Sequence, residues 1–180
     1  KRLTLRVEPL TAQQWAAVCR IKSLEELMVT GCTLGPDIGL QPAPPNIKCV
    51  TFVCCPVDNQ LLHAVRTCKE LTLWACDLDI DAMPTLTEFA FLEALSLVCT
   101  RFTRFQRATD LGGEHAVPQI AEKGFDAHCQ EELIRLCSRV QRLRAIQVTP
   151  FEGHVKQLTT LINLESLRLG YADVVADDLR

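Results

Sequence analysis

Apolar residues recur along the chain with one spacing, clearest in CKELTLWACDL at residues 68–78. They stand at positions 0, 3, 5, 8 and 10, counted from Cys68 as position 0. LEELMVTGCTL from residue 24 and IKCVTFVCCPV from residue 47 keep the whole spacing. LEALSLVCTRF from residue 92 and LESLRLGYADV from residue 164 keep it with Thr100 or Ala172 in place of the cysteine. Self-similarity at a fixed period indicates a repeat architecture.

Two further segments keep the spacing incompletely. LRAIQVTPFEG from residue 143 has Gly153 at its last position, and the N-terminal LTLRVEPL sets its leucines around Glu8. The copies therefore start near residues 1, 24, 47, 68, 92, 143 and 164, with 103–130 as an insertion or a decayed repeat in the longest step. We predict one domain over residues 1–180. Because Leu3 and Leu5 open the chain without a polar cap, we expect it to be a fragment of a longer chain or to be covered at its ends.

Each copy combines a strand pattern with a helix pattern. Leu71 and Leu73 alternate with Thr72 and Trp74, so the leucines face a core and the other two face outward. The strands are followed by TAQQWAAVCR with Thr11 as N-cap, DNQLLHAVRT with Asp58 as N-cap, and EGHVKQLTTLIN. We expect the sheet to be covered by the apolar residues of these segments: Trp15, Val18, Leu61, Leu62, Val65, Val155, Leu158 and Leu161.

This alternation at so short a spacing predicts an α/β solenoid. A curved parallel sheet forms the concave face, and short helices or irregular segments form the convex face. Residues 35–46 contain four prolines and are predicted to cross the convex side in an extended or polyproline-like form. Residues 103–130 are predicted to form a surface excursion beside the fifth and sixth strands.

The pattern resembles the leucine-rich repeat family, in particular its cysteine-containing class, in which LxxLxLxxCxL precedes a short helix. The resemblance covers most of residues 1–102 and 131–180. Members of this class often serve as the substrate-recognition part of F-box ubiquitin-ligase adaptors. The resemblance therefore implies a protein-binding role, with a ubiquitin-ligase adaptor as one alternative and a structural subunit of a large, even ribonucleoprotein, assembly as another.

Ten cysteines suggest disulfides or zinc, but their spacing fits neither. The chain has no CxxC motif, and its four histidines form no ligand pattern. Free cysteine is often buried, so we expect a reduced ladder of Cys32, Cys55 and Cys76 with no metal and no cofactor. Reduced cysteines in this number predict an intracellular protein, cytoplasmic or nuclear.

Charge and motifs exclude several function classes. The net charge is −3, from 19 basic and 22 acidic residues, so a general nucleic-acid binder is disfavoured. No apolar run approaches the roughly 18 residues of a membrane span. Without a phosphate loop, a GxSxG motif or a histidine placed beside a nucleophile, no catalytic residue is predicted and the chain is not expected to be an enzyme. Cys54 and Cys99 face outward but lack a basic neighbour that would activate a thiol.

The outward positions of the strands supply the predicted binding surface, and another protein is the predicted partner. Seven strands span roughly 29 Å, which is sufficient for a standard protein interface. The predicted partner-binding residues, centred on Trp74, are Met28, Thr51, Val53, Thr72, Trp74, Ser96, Val98, Gln147, Arg168 and Tyr171. The alternative for Trp74 is a structural role, folded over its neighbours or beneath residues 103–130.

A second candidate contact lies in RFTRFQR, residues 101–107. It places Arg101, Arg104 and Arg107 at every third position with phenylalanines between them, a composition also found on platforms for anions or single-stranded nucleic acid. Because Phe102 already has a core position in the repeat, a solvated arginine face is the favoured interpretation. The sequence specifies neither the partner's identity nor the oligomeric state.

Overall fold

The computed structural model describes residues 1–6, 9–33, 38, 43–103, 127–149 and 155–170. Its strands are β1 (Arg2–Leu5), β2 (Glu26–Thr30), β3 (Cys49–Val53), β4 (Pro56–Val57), β5 (Glu70–Trp74), β6 (Asp77–Asp79), β7 (Ala94–Val98), β8 (Arg101–Thr103), β9 (Ala145–Thr149) and β10 (Ser166–Leu169). Its α-helices are α1 (Ala12–Cys19), α2 (Asn59–Val65) and α3 (Ala127–Cys137). It also has 3₁₀ helices at Ile80–Glu88 and Val155–Thr160.

Seven strands form one parallel sheet in the order β1-β2-β3-β5-β7-β9-β10. The order is that of the chain once β4, β6 and β8 are set aside, and each neighbouring pair is parallel. Mixed α/β structure with a mainly parallel sheet is therefore confirmed. The strands pair without offset, so that Leu71 lies between Val50 and Leu95. Equivalent positions of successive copies consequently form straight rows across the sheet.

One face of this sheet is packed against the helices, as the alternation predicts. Leu71 and Leu73 are at most 1% exposed, and so are Val50 and Phe52 on the neighbouring strand. The edges are less well covered, since Leu167 on β10 is 40% exposed. The core therefore follows positions 3 and 5 of the central copies.

The helices begin at the predicted residues. Thr11 accepts a hydrogen bond from the Gln14 backbone N–H and completes a capping box at the start of α1, while the Asp58 carboxylate accepts one from the Leu61 backbone N–H of α2. The buried residues of these segments confirm the predicted covering faces: Trp15, Val18, Leu61, Leu62, Val65, Leu158 and Leu161. The side chain of Val155 lies outside the described part of the structure.

A second, three-stranded parallel sheet has the order β4-β6-β8 and was not predicted. Its strands come directly after those of the large sheet, at positions 9 to 11 of the copies. Val57 and Leu78 are buried on it, and so is Phe102. Position 10 of the spacing is therefore apolar because its side chain is buried on this short ladder.

The cysteines of the spacing lie where the chain passes from one sheet to the other. The Cys55 Sγ donates to the Val29 carbonyl at 3.6 Å, and the Cys76 Sγ to the Phe52 carbonyl at 3.4 Å. In the next copy the Thr100 hydroxyl donates to the equivalent Leu73 carbonyl at 2.9 Å. The predicted burial of Cys32, Cys55 and Cys76 is confirmed, and no disulfide joins any of the ten cysteines. Three successive copies thus place a buried donor against the preceding strand.

Both ends of the predicted insertion lie in regular elements. Thr103 ends β8 and Ala127 begins α3, while residues 104–126 are outside the described part of the chain. Leu133 and Ile134 of α3 join the core. Most of the proline-rich segment 35–46 is likewise outside the described residues, although Ile38 within it is buried.

Candidate functional site

The open face of the large sheet is the face opposite the helices, and its side chains form three rows. The charged row contains Arg2, Glu26, Cys49, Glu70, Ala94, Ala145 and Ser166; the polar row contains Thr4, Met28, Thr51, Thr72, Ser96, Gln147 and Arg168; the apolar row contains Thr30, Val53, Trp74, Val98 and Thr149. None of these side chains is fully buried. Along the strands from β2 to β9, the surface therefore changes from charged to neutral polar to apolar.

The predicted binding residues are brought together by this register. Six of them are direct neighbours in the polar row: Met28, Thr51, Thr72, Ser96, Gln147 and Arg168. Val53, Trp74 and Val98 are neighbours in the apolar row. Tyr171 lies outside the described residues.

Trp74 is the largest exposed side chain of the open face. It is 55% exposed, whereas Trp15 on α1 is 0% exposed. Val53 and Val98 flank it on the neighbouring strands. Just over half of the indole surface is therefore open to a partner, while residues 104–126, under which the alternative places Trp74, lie outside the described part of the chain.

The apolar row continues into the turn that follows each strand. Cys54, Ala75 and Cys99 are exposed there and have φ angles of 53°, 50° and 51°. This left-handed conformation costs a residue with a Cβ about 1–2 kcal/mol. It allows the Cys54 N–H to donate to the Trp74 carbonyl at 2.9 Å and the Ala75 N–H to the Val98 carbonyl at 2.7 Å, extending the ladder past the strand ends.

We call Val53, Trp74, Val98, Cys54, Ala75 and Cys99 the Trp74 patch. The sequence predicted Cys54 and Cys99 to be outward but missed their turn, whose signal is Gly31 with φ 61° at the equivalent place. Cys54 and Cys99 lie on either side of Ala75, so two strand spacings, about 9.6 Å, separate their Cα atoms. That separation exceeds the reach of a disulfide. The patch therefore carries no charged side chain, and its polar side-chain groups are the indole N–H of Trp74 and the two thiols.

The charged row carries the electrostatics of the open face. From β2 to β9 its ionisable carboxylates are Glu26 and Glu70, and none of the three rows has a Lys or Arg over these strands. Glu26 has Arg2 at 3.9 Å, whereas no ion pair joins Glu70 to a cation in the described part of the chain. Cys49 lies between the two carboxylates. Burial, the hydrogen bond to Glu70 and the negative charges of the two carboxylates together raise the pKa of the Cys49 thiol to about 11.

The nearest lysines in sequence are already paired along the rim next to the charged row. Lys48 lies 3.1 Å from Glu25, and Lys69 lies 3.0 Å from Glu93. Each pair links neighbouring copies, as does the pair between Arg144 and Glu165 at 2.9 Å. Exposed pairs of this kind contribute about 0–1 kcal/mol each. Lys48 and Lys69 are therefore directed toward Glu25 and Glu93 on the rim and away from the charged row.

Arg101, from the possible secondary contact, is exposed and ion-paired within the small sheet. Its guanidinium donates to both carboxylate oxygens of Asp77, at 2.7 and 3.1 Å, between β6 and β8 of the small sheet. Phe102 is buried as predicted. Arg104 and Arg107 lie outside the described residues, so the structure assembles no arginine cluster in the part that it describes.

The buried thiols lack the charge and the grouping that metal ligands have, in the ranges that the structure describes. Burial raises the pKa of Cys68, Cys76 and Cys137 to about 12, which keeps these thiols neutral. Within the described ranges, no group of three or more His, Cys, Asp or Glu side chains is placed to hold a metal ion. No helix of these ranges has the length and apolar character that crossing a membrane requires.

No protein-family model matches this chain, and a search of the curated proteins finds no relative. Functional inference for this chain therefore depends on its own sequence and geometry.

Proposed function

We propose that this chain is a leucine-rich repeat domain of the cysteine-containing class that binds another protein through the open face of its sheet. The observation that carries the proposal is the position of Trp74, 55% exposed in the central part of the face. In this proposal the sheet curves, the open face is its concave side, and Trp74 is the central anchor.

The repeat assignment is supported by equivalent residues with equivalent roles. Leu71 and Leu73 are buried like their counterparts in neighbouring copies, and Cys55, Cys76 and Thr100 donate to equivalent carbonyls. A parallel sheet in chain order, with each copy contacting its neighbours, is the arrangement expected of a solenoid.

Binding through the open face is supported by the Trp74 patch. Tryptophan is enriched among residues that dominate interface energy, and contiguous exposed apolar surface often marks a partner site. Val53 and Val98 flank Trp74 on the two neighbouring strands and make the surface more apolar than a single exposed tryptophan would. The polar row beside it provides hydroxyl and amide groups for hydrogen bonds around the anchor.

The proposal is tested by affinity capture with the immobilised chain and two matched variants. Trp74→Ala removes the anchor, and Phe91→Ala removes an aromatic side chain that is 44% exposed in the turn before β7, where Arg142 lies 5.3 Å from the ring centre. We expect proteins captured by the unmodified chain to be lost with Trp74→Ala and kept with Phe91→Ala. An identical set of captured proteins for all three chains, with all three folded, would contradict the proposal.

A further inference from the structure

Glu70 and Trp74 lie on the same strand and the same face. Glu70, Thr72 and Trp74 are alternate residues of β5, so all three side chains belong to the open face. Four residues of a strand place the two Cα atoms about 13 Å apart. A partner segment that covers Trp74 and follows β5 therefore reaches Glu70.

Glu70 has no compensating cation from its own chain in the described residues. Its in-register neighbours are Cys49 and Ala94. Lys69, next to it in sequence, is directed to Glu93 at 3.0 Å. The carboxylate is exposed, so water now solvates it.

A bound partner would remove part of that water. The hydrogen bond from the Cys49 thiol does not neutralise the charge of Glu70. Burying a carboxylate without an ionic partner is costly, whereas a cation at the interface compensates for the loss. The effect is not offset nearby, because Glu26 carries the same charge and the three rows have no Lys or Arg between β2 and β9. Charge complementarity therefore favours basic segments and disfavours acidic ones.

We propose that the open face binds a linear segment of a partner protein in which a Lys or Arg pairs with Glu70 and an apolar side chain covers Trp74. This inference rests on the proposed function and adds the chemistry of the partner. The acidic charge selects the segment and sets its orientation along β5, and the Trp74 patch supplies the contact area.

The test is a selection of random linear peptides displayed on phage against the whole chain. The same library is selected against three variants: Trp74→Ala, Glu70→Lys and Glu131→Lys. Glu131→Lys is the matched control, because it makes the same change of charge on α3, away from the open face. Thermal unfolding of each variant shows that it is folded before it is used.

We expect the unmodified chain to enrich peptides that combine Lys or Arg with an aromatic or aliphatic residue. A synthetic peptide of this type should lose at least about tenfold in affinity with Glu70→Lys and with Trp74→Ala, and be unchanged with Glu131→Lys. Its affinity for the unmodified chain should also fall with added salt. Selection on Glu70→Lys should favour Asp or Glu in place of the basic residue.

Two results would overturn this inference, and they differ in what they say about the proposed function. Peptides that require Trp74 but lack a basic residue and bind Glu70→Lys equally well would leave binding through the open face intact and remove the role of Glu70. Failure to enrich any peptide that depends on Trp74 would show that linear segments are not recognised, and the capture experiment would then decide the proposed function separately.

Discussion

The two faces of β5 differ in how similar each side chain is to its neighbours across the sheet. On the covered face, Leu73 lies between Phe52 and Leu97, all fully buried aliphatic or aromatic residues. On the open face, Trp74 lies between two valines and is far larger than either. Packing against the helices limits the covered face to residues that fill the same space. The open face has no such constraint from the helices, and Trp74 is the one large aromatic side chain among its described residues, which supports the binding role proposed for it.

The largest expected effect is on the covered face. Leu73→Ala removes a side chain that is 0% exposed, and we expect a loss of about 2–5 kcal/mol in the free energy of unfolding. Chemical denaturation measures this loss. If Leu73→Ala and Trp74→Ala destabilised the chain equally, the distinction between the two faces would fail.

The cysteine ladder allows a sharper test of the covered side. Cys76→Thr should place a hydroxyl where Thr100 has one in the next copy, within reach of the Phe52 carbonyl. Cys76→Val has nearly the same shape but no donor. We expect the threonine variant to be more stable than the valine variant by about 0.5–1.5 kcal/mol in chemical denaturation. Equal stability, or a more stable valine variant, would show that the donor contributes nothing.

Backbone strain in the Trp74 patch predicts a stabilising change on the open side. Ala75 has φ 50°, so Ala75→Gly should relieve strain and stabilise the fold by about 0.5–1 kcal/mol. Ala94→Gly is the matched control, since Ala94 lies in β7 and the same change should destabilise a strand. Differential scanning calorimetry compares the two variants, and destabilisation by both would show that Ala75 is not strained.

The smallest effect concerns the cap of α2 and its dependence on pH. Burial raises the pKa of Asp58 above its ordinary value, although backbone hydrogen bonds oppose the shift. A raised folded-state pKa means that folding takes up a proton as the pH falls through it. Relative to Asp58→Asn, which keeps a capping side chain, the unmodified chain should therefore gain stability from pH 7 down to the unfolded-state pKa of about 3.9.

Glu25 should show the opposite dependence of stability on pH, measured relative to Glu25→Gln. The hydrogen bond and charge of Lys48 lower the pKa of Glu25, so the unmodified chain should lose stability relative to this variant as the pH falls through the lowered value. Denaturation at several pH values measures both differences. A trend of the same sign for Asp58 and Glu25 would contradict the assigned causes.

Much of the fold was predictable because each copy repeats the same physical requirement. Alternation of Leu71 and Leu73 with outward residues predicted β5, and the side chains of Thr11 and Asp58 predicted the helix starts. The small sheet was missed because its strands are two or three residues long and bury few side chains, such as Val57. A strand this short shows no alternation in a sequence.

The sequence predicted which residues belong to the candidate site but not how their charges are paired. Outward positions follow from the period of two, which placed Trp74 and Val53 on one face. The contact of Cys49 with Glu70 and the pairing of Lys69 with Glu93 depend on register between copies, which the sequence does not state. Left-handed backbone at Ala75 was hidden because alanine gives no signal of it.

The most direct test of a binding face centred on Trp74 is the variant Trp74→Ala, with stability and affinity measured in the same preparation. We expect the free energy of unfolding to change by less than about 1 kcal/mol, because the side chain is 55% exposed. Affinity for a captured partner, measured by calorimetry, should fall by about 2–4 kcal/mol. A stability loss of about 3 kcal/mol or more with unchanged affinity would mean that Trp74 serves the fold, and would contradict a binding face centred on it.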